Sequence, residues 1–274
     1  TSSVQATDLT ALLGETAYDD VVVLGAQSVV GALGDLVAVA LELDSVGAQD
    51  LVLTGTQAFV LAESAGQRVA AESLKALDDV TTGEVFAQAA DTVVVGMGPL
   101  HASLLNRDSA TVWFGDSVVL ADSVVVELVV GTGANDWVGA DSLNTVSVLL
   151  TGVVDATAAD TIRGSLEGLL SVTADAGVKR AGSVTLEVTD GLNNSATTLQ
   201  ADSVLGLSGR TAGVVDARGA DTIEGSFAQL SALADSVDAG RVVLGAGVDV
   251  SLTLTETSSV QATDLTALLG ETAY

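Results

Sequence analysis

Apolar positions along the chain fall into two alternating patterns. Short runs of β-branched and aliphatic residues, such as Asp20–Leu24 (DVVVL), Arg241–Leu244 and Val248–Thr255, read as strands. Between them, apolar residues take helical spacing. Ile223, Phe227, Leu230 and Leu233 fall at i, i+4, i+7 and i+10, one face of a helix, and Ile162, Leu166, Leu169 and Val172 repeat that face. Asp221 and Glu224 have the spacing of a capping box, with Asp in the Ser/Thr place, which predicts a helix start there. Ser64–Asp79 contains no proline and is the longest predicted helix, and Gln261–Glu271 is a further amphipathic stretch. The predicted order is β–β–α–β–α, or two strand–helix half-repeats of about 32 residues.

Short all-apolar strands between helices argue for a parallel sheet covered by helices. Their repetition extends this to an α/β repeat solenoid with short parallel strands and amphipathic helices. The alternative is a β-solenoid, in which the helical stretches are further coils. A row of β-sandwich domains fits less well, because the helical faces are many and the aromatics few.

Repetition is also literal. Thr1–Tyr18 (TSSVQATDLTALLGETAY) recurs without a mismatch as Thr257–Tyr274. The chain therefore reads as a window on a longer polypeptide in which residues 1–256 are one tandem unit and 257–274 begin the next. Inside the unit, VVDATAADTIRGSLEGLLSV from Val153 matches VVDARGADTIEGSFAQLSAL from Val214. Weaker copies surround Val29–Val39 and Ala90–Asp108. Apolar triplets starting at Leu51, Val112, Val184 and Val242 mark four degenerate modules of about 58–72 residues each, which together fill the unit.

Composition narrows the function. Nine Lys and Arg face 36 Asp and Glu, a formal charge of −27, which repels nucleic acid and anionic lipid and suits high salt or divalent cations. There is no Cys, so disulfides, thiolate catalysis and cysteine metal sites are excluded. No apolar run reaches the length of a membrane span, and no signal peptide is visible.

Candidate chemistry is sparse. GTGANDWVGADSL (Gly131–Leu143) shares features with half of a calcium-binding glycine–aspartate repeat, making Asn135, Asp136 and Asp141 candidate calcium ligands. Calcium is the one candidate cofactor. GADTIEGS (Gly219–Ser226) shares those features, but Asp221 reads better as a helix N-cap. Asp190-Gly191 with Asn193 and Asn194 reads as a tight turn, and Asn193-Asn194-Ser195 fits a glycosylation sequon. The pairs Asp19/Asp20 and Asp78/Asp79 read as solvated ends of elements. His101 is the single His and reads as structural, while Trp113 and Trp137 read as core or module-junction residues. No nucleophile elbow or phosphate loop is present.

These features, carried by VVDATAADTIRGS at Val153, VVDARGADTIEGS at Val214 and LKALDDVTTGEVFAQAADTV at Leu74–Val93, resemble the giant tandem-repeat surface proteins of bacteria, including large repetitive adhesins. The resemblance implies a secreted, extracellular or cell-surface protein that forms filaments, sheaths or adhesive stalks. The expectation is a non-enzymatic structural repeat whose partners are neighbouring identical repeats and divalent cations. An adhesin repeat binding a glycan or surface partner is the alternative. A polysaccharide-acting enzyme on a solenoid is a remote third, because a catalytic groove needs more clustered basic residues.

Overall fold

The computed structural model describes residues 2–14, 21–23, 25–44, 51–53, 56–62, 67–96, 118–121, 123–129, 137–149, 152–190 and 197–254. The protein is α/β, built from short parallel strands and amphipathic helices. It divides into two compact units, Thr1–Val129 with Thr145–Val154, and Val130–Asn144 with Asp155–Tyr274.

In chain order the first unit holds β1 (Ser3–Gln5), α1 (Ala6–Leu13), β2 (Val21–Val23), β3 (Ser28–Gly31), α2 (Leu33–Asp44), β4 (Leu51–Leu53), β5 (Ala58–Leu61), β6 (Gln67–Ala70), α3 (Ala71–Val80), β7 (Val85–Ala87), β8 (Ala90–Gly96), β9 (Val118–Leu120) and β10 (Val125–Val129). Next come β11 (Trp137–Gly139), α4 (Ala140–Leu149), β12 (Val153–Ala156), β13 (Thr161–Gly164), α5 (Leu166–Ala174), β14 (Val178–Arg180) and β15 (Thr185–Val188). The chain continues through β16 (Thr198–Gln200), α6 (Ala201–Ser208), β17 (Val215–Ala217), β18 (Thr222–Gly225), α7 (Phe227–Asp238), β19 (Val242–Leu244) and β20 (Asp249–Leu252).

Pairing follows one rule: a strand lies parallel to the next strand but one. The first unit contains the sheet β1-β3-β5-β7-β9, the pair β2-β4 and the neighbours β6, β8 and β10; the second contains β11-β13-β15-β17-β19 and β16-β18-β20. The register repeats at near-constant separation. Arg163 stands beside Glu187, 24 residues on. Gln200 stands beside Glu224 at the same interval. Trp137 is set beside Thr161, and Thr161 beside Thr185, in the same rhythm.

Strand alternation puts one face of each sheet in the core. Val138, Ile162, Leu186 and Val215 are all at most 1% exposed, while their chain neighbours Arg163, Glu187 and Asp216 point the other way. The helices bury Leu9, Leu36, Leu74, Leu169, Val204 and Leu230. Helices α1, α2 and α3 contact in succession, as do α5, α6 and α7. Among the described residues, no helix is long and apolar enough to cross a membrane.

Several predicted boundaries shift. Arg241–Leu244, Val248–Thr255 and Asp20–Leu24 contain β19, β20 and β2. Ile162 and Ile223 are strand residues of β13 and β18, not helix residues. Asp221 is therefore not an N-cap. The caps are Ser165, whose Oγ accepts from Gly168 N, and Ser226, which forms a capping box with Gln229. Of the predicted helix Ser64–Asp79, Gln67–Ala70 is β6 and the helix starts at Ala71. Pairing of Val69 with Val93 fixes that stretch as strand, a tertiary contact overriding local propensity. Gln261–Glu271 lies outside the described residues, but the identical stretch Gln5–Glu15 contains α1. The strand that follows α7 is Val242–Leu244, and the one that follows α5 is Val178–Arg180. The triplet at Val184 belongs to the next strand instead.

Candidate functional site

Some helix ends are satisfied locally, as by Ser165 and Ser226, and others by residues distant in the chain. None of the described helices has a basic residue in its last turn. At the C-terminal end of α5, Arg210 donates through Nη1 to Leu170 O at 2.7 Å and to Thr173 Oγ1 at 3.2 Å, and Arg180 donates to Thr173 O at 3.4 Å. These cations meet the negative end of the helix dipole, and the Leu170 carbonyl that Arg210 reaches also accepts from Thr173 Oγ1. At the other end, Asp190 Oδ2 accepts from Leu166 N at 2.6 Å, so the residue read as a tight turn caps a helix begun 24 residues earlier. Asp221 accepts from Thr197 N at 2.9 Å, a bond to the residue before β16 and not to a helix end.

A cluster of charged side chains in the second unit lies on the outward face of β11-β13-β15-β17-β19. Gly139, Arg163, Glu187, Asp216 and Val243 fall in one row across the sheet. The Arg163 guanidinium lies 5.0 Å from the ring centre of Trp137, a cation–π contact. Gly139, directly opposite Arg163, offers no side chain that would hold the guanidinium off the ring. Arg163 Nε also donates to Glu187 Oε2 at 2.6 Å, and Arg218 pairs with Asp216. Trp137 is thus half-buried on the outer face beside buried Val138; of the two expected places, core or module junction, it does not occupy the core. Its partner was not legible, because Arg163 lies on another strand beyond the intervening helix; only the pairing of β11 with β13 brings the two together.

Each carboxylate in this row is matched to a cation. The hydrogen bond from Arg218 is the main cause that holds the Asp216 carboxyl below its usual value of 3.8, working against partial burial. The Asp216 side chain is only 15% exposed, so solvent screens the pair incompletely. A depressed folded pKa means the stabilisation is present above the ordinary carboxylate pKa and disappears as pH falls through the folded value. Arg218→Ala is expected to raise the Asp216 pKa, as followed by carboxyl NMR titration. The stability gap between R218A and the parent should be full at neutral pH and close below about pH 4. A gap independent of pH would assign the effect to packing.

Of the calcium candidates, Asn135 and Asp136 lie outside the described residues. Asp141 is exposed at the second position of α4, as Glu72 and Asp202 are in α3 and α6. An acidic residue there complements the positive end of the helix dipole. Among the described residues, no group of three or more acidic or His side chains converges on a point where a metal ion could sit. His101, Trp113, Asn193, Asn194, Asp19 and Asp20 lie outside the described residues. Asp79 accepts from Lys75 on the previous helical turn at 2.6 Å.

A small cleft between α2 and α3 is lined by Val37, Ala40, Leu41, Ala76, Asp79 and Val80. A wider surface depression, beside the C-terminus of α5, contains Thr157, Thr173, Asp175 and Arg180. The cleft is small and lined mainly by aliphatic side chains, whereas the depression is open and mainly polar. Comparison of the chain with protein-family models, with curated proteins and with solved structures found no match.

Proposed function

We propose that this chain is a structural repeat of an extracellular filament, stalk or sheath, a continuous α/β solenoid built from a long covalent tandem array. The observation that carries the reading is a parallel pairing rule that recurs along the chain, each completed sheet being followed by another built the same way. Each strand pairs with the next but one, and Thr257–Tyr274 repeats in sequence the segment Thr1–Tyr18 that holds β1 and α1. A solenoid of this type is stabilised by nearest-neighbour contacts, so its ends are its weakest parts and length adds stability. Four degenerate modules fill each 256-residue unit, and the next unit carries the register forward.

In this reading the surface has two tasks. The net charge of −27 keeps neighbouring fibres apart, and divalent cations screen or bridge it. Side-chain contacts across the sheets hold adjacent coils in register: Arg163 pairs ionically with Glu187, and Gln200 donates a hydrogen bond to Glu224. Such a protein acts through length and valency, and no residue in it is assigned a catalytic step.

Polypeptides of one, two and three 256-residue units test the proposal. Small-angle scattering should show a maximum dimension that grows by a constant increment per unit. The denaturation midpoint should rise from one unit to two and then level off. Equal stabilities with beads moving independently would replace the solenoid with separate globules on a string.

A further inference from the structure

The five-stranded sheets draw their strands in a fixed rhythm. In β1-β3-β5-β7-β9 and β11-β13-β15-β17-β19 the order advances by two and stops after five, and new sheets start at β1, β6, β11 and β16. Counted in blocks of five strands, each of these two sheets takes the first, third and fifth strands of one block and the second and fourth of the following block. Two fragments break the rhythm. The sheet β16-β18-β20 has only the first, third and fifth strands of its block, and β2-β4 has only a second and a fourth.

Burial shows the same deficit at both fragments. In β5 and β15, each the third strand of its sheet, the inward residues Phe59, Leu61, Leu186 and Val188 are at most 4% exposed. In β20 the alternation is the same but one step more open: Val250 and Leu252 are half-buried, and Asp249 and Ser251 are exposed. The fourth strands β7 and β17 bury Val85, Ala87, Val215 and Ala217 completely. In β2, Val21 and Val23 are only half-buried, and Val22 is 54% exposed. An uncovered Val-Val-Val edge is what a sheet normally pairs or shields.

We infer that β20 of one copy pairs in parallel with β2 of the next, so that a five-stranded sheet β16-β18-β20-β2-β4 spans the junction. The inference rests on the tandem reading above and specifies its joint: a shared sheet rather than a linker. The register follows from the two complete sheets. There the third and fourth strands pair Phe59 with Val85 and Val60 with Phe86, and Leu186 with Val215 and Glu187 with Asp216. Transferred by position, Val250 faces Val21 and Ser251 faces Val22. The connection length agrees. With a 256-residue period, Val21 of the next copy follows Val250 at a separation that falls between those of the known pairs Phe59–Val85 and Leu186–Val215.

The absence of Cys allows a direct test. In a two-unit polypeptide, Ser251→Cys is placed in the first unit and Val22→Cys in the second. Directly opposed residues on adjacent strands are about 5 Å apart, within disulfide reach. Mild oxidation is expected to give one intramolecular disulfide, identified by mass spectrometry. Thr253→Cys with Val22→Cys, two positions out of register, should react at least tenfold more slowly. Two free thiols that both label with maleimide, in a chain with unchanged circular dichroism, would overturn the shared sheet. If the thiol variants do not fold, hydrogen exchange of the unmodified chains decides. The peptide covering Val21–Val23 should exchange as one population in a single unit and as two equal populations in the two-unit chain, and a single fast population in both overturns the inference. Scattering on the same sample separates the two readings. A lengthened particle without the disulfide leaves the filament and removes this joint, whereas no lengthening removes the filament itself.

Discussion

Replacing Gly213 by alanine is expected to destabilise the protein by about 3 kcal/mol or more, the upper end of what overpacking costs. A Cβ on Gly213 would lie 2.4 Å from the carbonyl oxygens of both Ser183 and Val184. Those oxygens are backbone, and no rotamer change can withdraw them. The approach is also held from both sides. Thr211 Oγ1 donates to Val184 O at 2.7 Å and accepts from Gly213 N at 2.9 Å, and Ala212 N donates to Gly182 O at 2.7 Å. Relief of the clash would have to part β15 from β17 at Leu186 N and Val214 O, which are 2.9 Å apart. Gly240 supplies the contrast. Its φ is +69° and its Cβ would meet nothing within 4 Å, so G240A should cost only the strain of a left-handed backbone, about 1 kcal/mol. Urea denaturation of both variants checks this; equal losses would mean that the close approach at Gly213 is not what the glycine serves.

The same device recurs at Thr81-Thr82-Gly83, where Thr81 Oγ1 donates to Gln57 O at 2.8 Å and a Cβ on Gly83 would lie 2.4 Å from that oxygen. The sequences TTGEVFA and TAGVVDA show the likeness at once, but not its cause, because Gln57 and Val184 stand on the preceding coil, far back along the chain. That pattern holds generally here. Parallel strands joined by helices were legible from the short runs of valine and leucine. The strand–helix boundaries were not. Ile162 and Ile223 continue a helical spacing by accident, because a four-residue strand followed by one capping residue places its inward isoleucine four positions before the first apolar residue of the helix. The true start signal, Ser226 with Gln229, stood beyond the aspartate that the spacing suggested. The row of Arg163, Glu187 and Asp216, with Trp137 against Arg163, was illegible for another reason: it exists only once the strand register is known.

A glycine–alanine contact repeated in both units sets that register, and a double-mutant cycle should expose it. A Cβ on Gly164, at the end of β13, would lie 2.6 Å from the Cβ of Ala140, the first residue of α4. Gly31 meets Ala6 at the same distance, and Gly225 meets Ala201 at 3.0 Å. In each case the alanine opens a helix and the glycine closes the strand one coil further along the chain. Gly164→Ala is expected to cost about 2 kcal/mol, less than a backbone clash because one methyl group can be displaced by a small shift of the helix start. Ala140→Gly alone should cost about 1 kcal/mol, from a lost buried methyl and a looser helix N-terminus. The double variant should recover most of the G164A loss, giving a coupling of about 1–2 kcal/mol. Strict additivity would show that the two positions do not touch in solution. Recovery would show that coil spacing is fixed by a missing methyl on one coil and a present one on the next, a pairing that a one-residue slip destroys. Neighbours that interlock by such single-atom complements tolerate drift in the surface, where Arg163 is matched by Glu224 in the copy that begins at Val214, while the spacing stays constant.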